Sequence, residues 1–179
     1  MPPLPLGTLG SLLLGLILLT PAAGRAATIL DEVKLGVLAH DVPVFDDQIE
    51  HGVDANGELL FTSPGFLAVL GAPRPHLGLT VNTAGKTSYA YAGLTWTATL
   101  YHQIFGALGL GGAIHDYSNT GSPGRVGLGT RLLFHEEADL GYHFGAMSVS
   151  LFLDHISNAG IGRRNPGMTN LGIRTGFSF

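Results

Sequence analysis

The chain has 179 residues, no cysteine, 27 glycines and a formal net charge of -4. Hydrophobic residues reach 45% while charged residues are only 12%, against ~25% in an ordinary soluble domain, and the mean hydropathy is +0.31. The length suits one domain. The absence of cysteine excludes thiol chemistry, disulfides and Cys-ligated metals, and 9 Lys and Arg against 13 Asp and Glu provide no basic surface for nucleic acid.

The first element is an apolar run, SLLLGLILLT at 11–20, followed by Pro21 and the small residues Ala22, Ala23, Gly24, Ala26 and Ala27. This is the layout of a secretory signal peptide, with cleavage after Gly24 or Ala26. The run falls short of the ~20 apolar residues of a spanning helix, and no later stretch is longer, so a helical membrane protein is excluded. The expected organisation is a signal at 1–26 and one domain at 27–179.

From Lys34 onward apolar residues recur with a period near two between Gly, Asn, Pro and Asp punctuation, the pattern of strands and turns. Eight blocks can be drawn: 33–41, 52–62, 74–83, 88–100, 104–115, 125–135, 140–157 and 169–179. In the third, Leu77, Leu79 and Val81 share one face, with His76, Gly78, Thr80 and Asn82 on the other. In the fourth, Ala90, Ala92, Leu94, Trp96 and Ala98 oppose Tyr89, Tyr91, Gly93, Thr95 and Thr97. In the sixth, Val126, Leu128, Leu132 and Phe134 oppose Gly127, Gly129 and Arg131.

Such alternation fits a soluble barrel with a greasy interior or a membrane barrel with a greasy exterior. The last block favours the second: Leu171, Ile173, Thr175, Phe177 and Phe179 lie on one face, Arg174 faces the other way, and the chain ends on Phe179. That ending resembles the C-terminal signal read by the assembly machinery of bacterial outer-membrane barrels. The expected fold is therefore an all-β, eight-stranded antiparallel transmembrane β-barrel of the bacterial outer membrane, with His76, Arg131 and Arg174 in its lumen. Outer loops are expected at 42–51, 84–87, 116–124 and 158–168, and inner turns at 63–73, 101–103 and 136–139. Segment 63–73 is long for an inner turn and has room for a helical turn or two.

The chemistry-bearing residues sit at the outward end of block seven. His155 and Ser157 are two apart on a strand, so both side chains emerge on one face with Cα atoms ~6–7 Å apart. An imidazole there can take the hydroxyl proton and make Ser157 a nucleophile. The pair shares the face of Val149, Leu151 and Leu153, the lipid face, so a lipid substrate is expected. The other histidines are scattered without close pairs, and no metal site is expected.

His155, Ser157, Asn158, Ala159 and Gly160 form an H-x-S-N-A-G string that resembles the signature of the lipid A 3-O-deacylases, the PagL type of outer-membrane acyl hydrolase. The resemblance is strongest over 151–179, including Asn165-Pro166-Gly167. It implies hydrolysis of the ester-linked acyl chain at position 3 of lipid A by a Ser-His mechanism, without a cofactor. It also implies Asn158 and Gly160 as oxyanion-hole donors. The family's third member is a Glu early in the last strand, where this chain has Thr169, beside Asn170; either can accept a hydrogen bond from the imidazole, and Thr169 is the matching position. Asp154 points to the opposite face, and Glu136, Glu137 and Asp139 are expected at an inner turn, far from the site. Arg163 and Arg164 are candidate contacts for lipid A phosphates. The expected partners are lipopolysaccharide, outer-membrane lipids and, through the Phe179 strand, the assembly machinery, with a homodimer left open. Two rival readings are a non-enzymatic barrel of structural or adhesin type and a soluble periplasmic lipocalin-like carrier.

Overall fold

The computed structural model describes residues 29–45, 47–118 and 120–179; the expected signal segment lies outside the described residues. Eight strands follow in chain order: β1 (Leu30–Ala39), β2 (Val53–Phe61), β3 (Arg74–Asn82), β4 (Tyr89–Tyr101), β5 (Ile104–His115), β6 (Leu132–Phe144), β7 (Met147–Ser157) and β8 (Met168–Ser178). Each pairs antiparallel with its neighbour, and β1 pairs with β8 to close the barrel. Closure leaves no sheet edge, the condition for crossing a bilayer with strands.

The alternation read from the sequence is the wall of this barrel. Leu35, Val37, Leu77, Leu79, Leu108, Leu110, Leu140, Leu151, Ile173 and Phe177 are exposed on the outside, whereas His76, Thr80, Tyr89, Tyr91, Thr95 and Arg174 are buried inside. One end carries the two-residue turns 102–103 and 145–146 and both ends of the barrel sheet. The other carries the longer loops 40–52, 83–88, 116–131 and 158–167, the outer end in such barrels. The inner segment after β2 is longer because it folds into a short 3-10 helix, Gly65–Leu70, closed by a left-handed Gly71. Trp96 Nε1 donates to Leu70 O at 2.8 Å and ties this helix to β4.

Two blocks are displaced from their expected positions. The span 125–131 is loop: Gly124 and Gly129 have φ of 68° and 77°, and Val126 and Leu128 are both buried, so the period-two look there is not a strand. The sixth strand runs through 132–144, and the expected inner turn at 136–139 is its middle. Glu136, Glu137 and Asp139 read as turn residues because of their charge. Instead Glu137 and Asp139 point into the lumen, where partners exist. The true turn at Gly145–Ala146 splits block 140–157. Arg131 is exposed before β6 rather than in the lumen.

Interior space is set by glycine. A Cβ on Gly78 would lie 2.0 Å from Tyr91 Cζ, and one on Gly109 would lie 2.3 Å from the Glu137 carboxylate, so missing side chains on β3 and β5 house large polar ones from β4 and β6. The barrel is filled rather than open. Lys34 Nζ donates to Asp139 at 2.9 Å, Ser150 Oγ donates to Asp139 at 2.7 Å, and Arg174 bonds both Asp139 and Glu58 while lying over the Phe152 ring. Above this layer Tyr89, Tyr91, Ala113, Val126, Leu128, Leu133, Ile156 and Met168 form an apolar plug under the outer loops.

Candidate active site

Strand parity places the predicted pair. On β7, Phe152, Asp154 and Ile156 are fully buried towards the lumen, so His155 and Ser157 face outward at the outer end. Ile156 between them is locked in the apolar plug, which fixes the backbone that carries both. Ser157 is the last residue of β7 and is 8% exposed. No hydrogen bond joins it to His155; both side chains share one face two residues apart, and such contacts commonly close only around a substrate.

His155 is held from β8. Its Nδ1 lies 2.8 Å from Thr169 Oγ1, its register partner across the β7–β8 ladder. With Thr169 accepting, the proton sits on Nδ1 and the Nε2 lone pair is left for Ser157. Thr169 is itself fixed, since its carbonyl accepts Val42 N–H at 2.7 Å. Asn170 has the opposite parity: its Nδ2 donates to Tyr89 OH at 2.7 Å and its Oδ1 accepts Asp41 N–H at 2.9 Å. Asn170 therefore braces the lumen and outer loop, and Thr169 is the residue brought to the histidine.

Glu136 stands on the other side of His155. The two are register partners across β6 and β7, and outward parity puts both side chains on one face, where directly opposed Cβ atoms lie ~4.5–5.5 Å apart. Glu136 Oε2 is buried without a hydrogen-bond partner. The sequence reading placed this acid at a distant turn; once β6 is registered correctly, it is the carboxylate beside the site. A ladder shift of a few residues hid it.

The signature continues into a tight turn. Ala159 and Gly160 have φ of 50° and 80°, and Ile161 N–H donates to Asn158 O at 3.0 Å, closing a turn with two left-handed central residues. Asn158 staples the loop: its Nδ2 donates to the carbonyls of Leu128 and Arg164, and its Oδ1 accepts Gly160 N–H at 2.9 Å and Gly162 N–H at 3.3 Å. Asn165 Oδ1 accepts Asn158 N–H at 2.8 Å. Both protons of the Asn158 amide are thus committed to carbonyls. The Gly160 N–H is itself bonded to Asn158 Oδ1, at a shorter distance than the Gly162 N–H that shares this acceptor.

Two outer loops complete the site. Phe45, in the loop after β1, meets the His155 ring edge-on at 5.5 Å between centroids. That loop is anchored by buried His40, whose Nδ1 lies 2.8 Å from Asp54 and whose Nε2 lies 2.9 Å from Glu50. Glu50 also accepts the Thr87 N–H and hydroxyl and the Val126 N–H, at 2.8, 3.0 and 2.8 Å, so one carboxylate joins three outer loops. Burial opposes charge on His40, but its bonds to Asp54 and Glu50 overcome this and raise it to about 9. Burial likewise opposes charge on Glu50, yet bonds from His40, Thr87 and Val126 hold it down to about 2. Arg163 and Arg164 are exposed in the 158–167 loop. Arg164 donates to Thr120 O at 3.3 Å and, with Arg125, lines a cavity of about 230 Å³ between the loops.

Comparisons with known proteins bear on the fold and the family. No curated protein sequence matches the chain significantly. A solved structure described as "Crystal structure of the outer membrane enzyme PagL" superimposes with a TM-score of 0.57 at 16% identity, covering 82% of this chain and 99% of that one; at that identity the likeness concerns the fold. A family model described as "Lipid A 3-O-deacylase (PagL)" matches residues 68–178, from the inner 3-10 helix through the signature to the last strand. The chain belongs to the lipid A 3-O-deacylase (PagL) family.

Proposed function

We propose that this outer-membrane lipid A 3-O-deacylase works as a serine esterase with Ser157 as nucleophile and His155 as base. The observation that carries the reading is the position of the pair: outward-facing, at the outer end of β7, with the imidazole fixed by Thr169. A reactive group on the lipid face at that height meets acyl chains anchored in the outer leaflet, and the ester carbonyls of lipid A lie where chain meets sugar.

In the reaction Ser157 Oγ attacks the carbonyl carbon while His155 Nε2 takes its proton. The tetrahedral oxyanion is met by the Gly160 N–H, a type of contact worth ~3–4 kcal/mol in other acyl-transfer enzymes. Collapse expels the 3-hydroxyl of the sugar, which takes the proton back from His155, and water then hydrolyses the acyl-serine by the same route. Thr169 orients the imidazole with a neutral hydrogen bond, and Glu136 supplies negative charge beside the imidazolium that forms. Asn158 shapes the turn that presents Gly160. Arg163 and Arg164 project from the loop above the site, suited to the sugar phosphates, and Phe45 forms an aromatic wall for the acyl chain.

A fluorophosphonate probe distinguishes serine-type chemistry from other routes. The expected result is a stoichiometric adduct on Ser157, absent in Ser157→Ala and strongly slowed in His155→Ala. Active enzyme that never acquires the adduct contradicts the mechanism.

A further inference from the structure

Below the apolar plug, and away from the esterase site, three donors converge in the closed lumen. Glu58 on β2, His76 on β3 and Glu137 on β6 each offer a ligand atom within 4.8 Å of those of the other two. All three side chains are at least 98% buried. Glu58 Oε1, His76 Nε2 and Glu137 Oε2 have no hydrogen-bond partner. The neighbouring bonds fix which lone pairs are free. Thr95 has one hydroxyl proton and donates it to Glu137 Oε1 at 2.9 Å, so it accepts from His76 Nδ1–H at 2.7 Å. His76 Nε2 is then a bare acceptor, in a cluster with two buried carboxylates that each keep one bare oxygen. Without a proton or a cation shared among them, three such acceptors are costly in a dry interior.

Charge points the same way. The buried lumen carboxylates Glu32, Glu58, Glu137, Asp139 and Asp154 face the cations Lys34, Arg74 and Arg174, while Asp54 is held by His40, leaving two negative charges when these acids are all ionised and the other histidines neutral. Arg174 neutralises the other side of the cluster, reaching Glu58 Oε2 at 3.1 Å and Glu137 Oε2 at 4.0 Å, but it leaves Glu58 Oε1 and His76 Nε2 unmet. The wall beside the imidazole is glycine: a Cβ on Gly93 would sit 2.8 Å from His76 Nε2. His135, ring-stacked on Tyr91 and edge-on to His76, also has both ring nitrogens without partners.

We propose that Glu58, His76 and Glu137 bind one divalent metal ion inside the barrel. One imidazole with two carboxylates suits Zn²⁺ or a similar first-row ion, and Thr95 supplies the outer contact that sets the imidazole tautomer. Because the lumen is filled, the ion enters during folding and ties β2, β3 and β6 together; it takes no part in ester hydrolysis.

The test uses the full protein in detergent, stripped with EDTA in denaturant and refolded with Zn²⁺ or, as a spectroscopic probe, Co²⁺. The expected result after desalting is about one ion per chain, a tetrahedral-type Co²⁺ absorption, and a higher unfolding midpoint than protein refolded in EDTA. His76→Gln and Glu137→Gln should reduce retained metal to background, whereas His51→Gln, at an exposed loop position, should not. Wild-type protein that refolds yet retains no metal overturns the proposal and leaves a proton shared between the two glutamates as the occupant. Equal retention by wild type and both lumen variants overturns it as well.

Discussion

Thr169 offers a hydroxyl to the Nδ1 of His155, where the resemblance of the signature implies a carboxylate. The 2.8 Å contact holds the ring but adds no charge. Thr169→Val should lower kcat by ~10–100-fold with KM unchanged, because orientation matters in the transition state and hardly at all in substrate binding. Thr169→Glu should match or exceed the wild type. Equal kcat for the Val variant, measured on purified lipopolysaccharide, would remove Thr169 from the site. Glu136→Gln should likewise lower kcat rather than raise KM. The shared face of His155 and Ser157 was legible in the sequence because a spacing of two fixes it in any strand, whereas Thr169 came from the resemblance alone, with Asn170 open beside it. The commitment of the Asn158 amide to two carbonyls was not legible, since it depends on how the 116–131 and 158–167 loops meet.

At the scale of elements, the outer loops hang on Glu50. Glu50→Gln keeps the shape but removes the charge that accepts from His40, two backbone amides and a hydroxyl, so it should release the 42–51 loop with Phe45. Faster proteolysis of 42–51 in intact cells, with activity reduced and the barrel still folded, is the expected outcome. The same anchor sets a pH window. His40 is raised from 6.5 to about 9, so its contribution is full below 6.5 and is lost as pH rises through about 9. Glu50 is lowered from 4.5 to about 2, so its contribution is present above 4.5 and lost as pH falls towards about 2. Protection of the loop amides, measured as exchange relative to the intrinsic rate at each pH, should be greatest between those limits and fall beyond pH 9; protection that does not change with pH would contradict the anchor. The alternation in 74–83, 88–100, 104–115 and 169–179 made the corresponding strands legible. β6 was obscured because a strand with Glu137 and Asp139 facing inward looks like a turn until the lumen's Lys34 and Arg174 are known.

For the whole molecule, the hydrophobic, charge-poor and glycine-rich composition becomes an apolar outer wall around a charged, glycine-lined interior. Arg174→Ala would strand Asp139 and Glu58 without their main counter-ion and should destabilise the barrel by ~3–5 kcal/mol, read as a lower urea midpoint for loss of heat-modifiable mobility. That lumen network was only partly foreseen: parity put His76 and Arg174 inside, but which acids they meet depends on the register of six strands. The central claim is that the outward pair on β7 cleaves lipid A at the outer leaflet, and mass spectrometry of lipid A from cells expressing the chain tests it most directly. Wild-type protein should remove the ester-linked chain at position 3, and Ser157→Ala, at equal levels of folded barrel, should leave it intact, a loss of at least ~10⁴-fold. Lipid A that is unchanged by the wild type, or equally deacylated by Ser157→Ala, would contradict it.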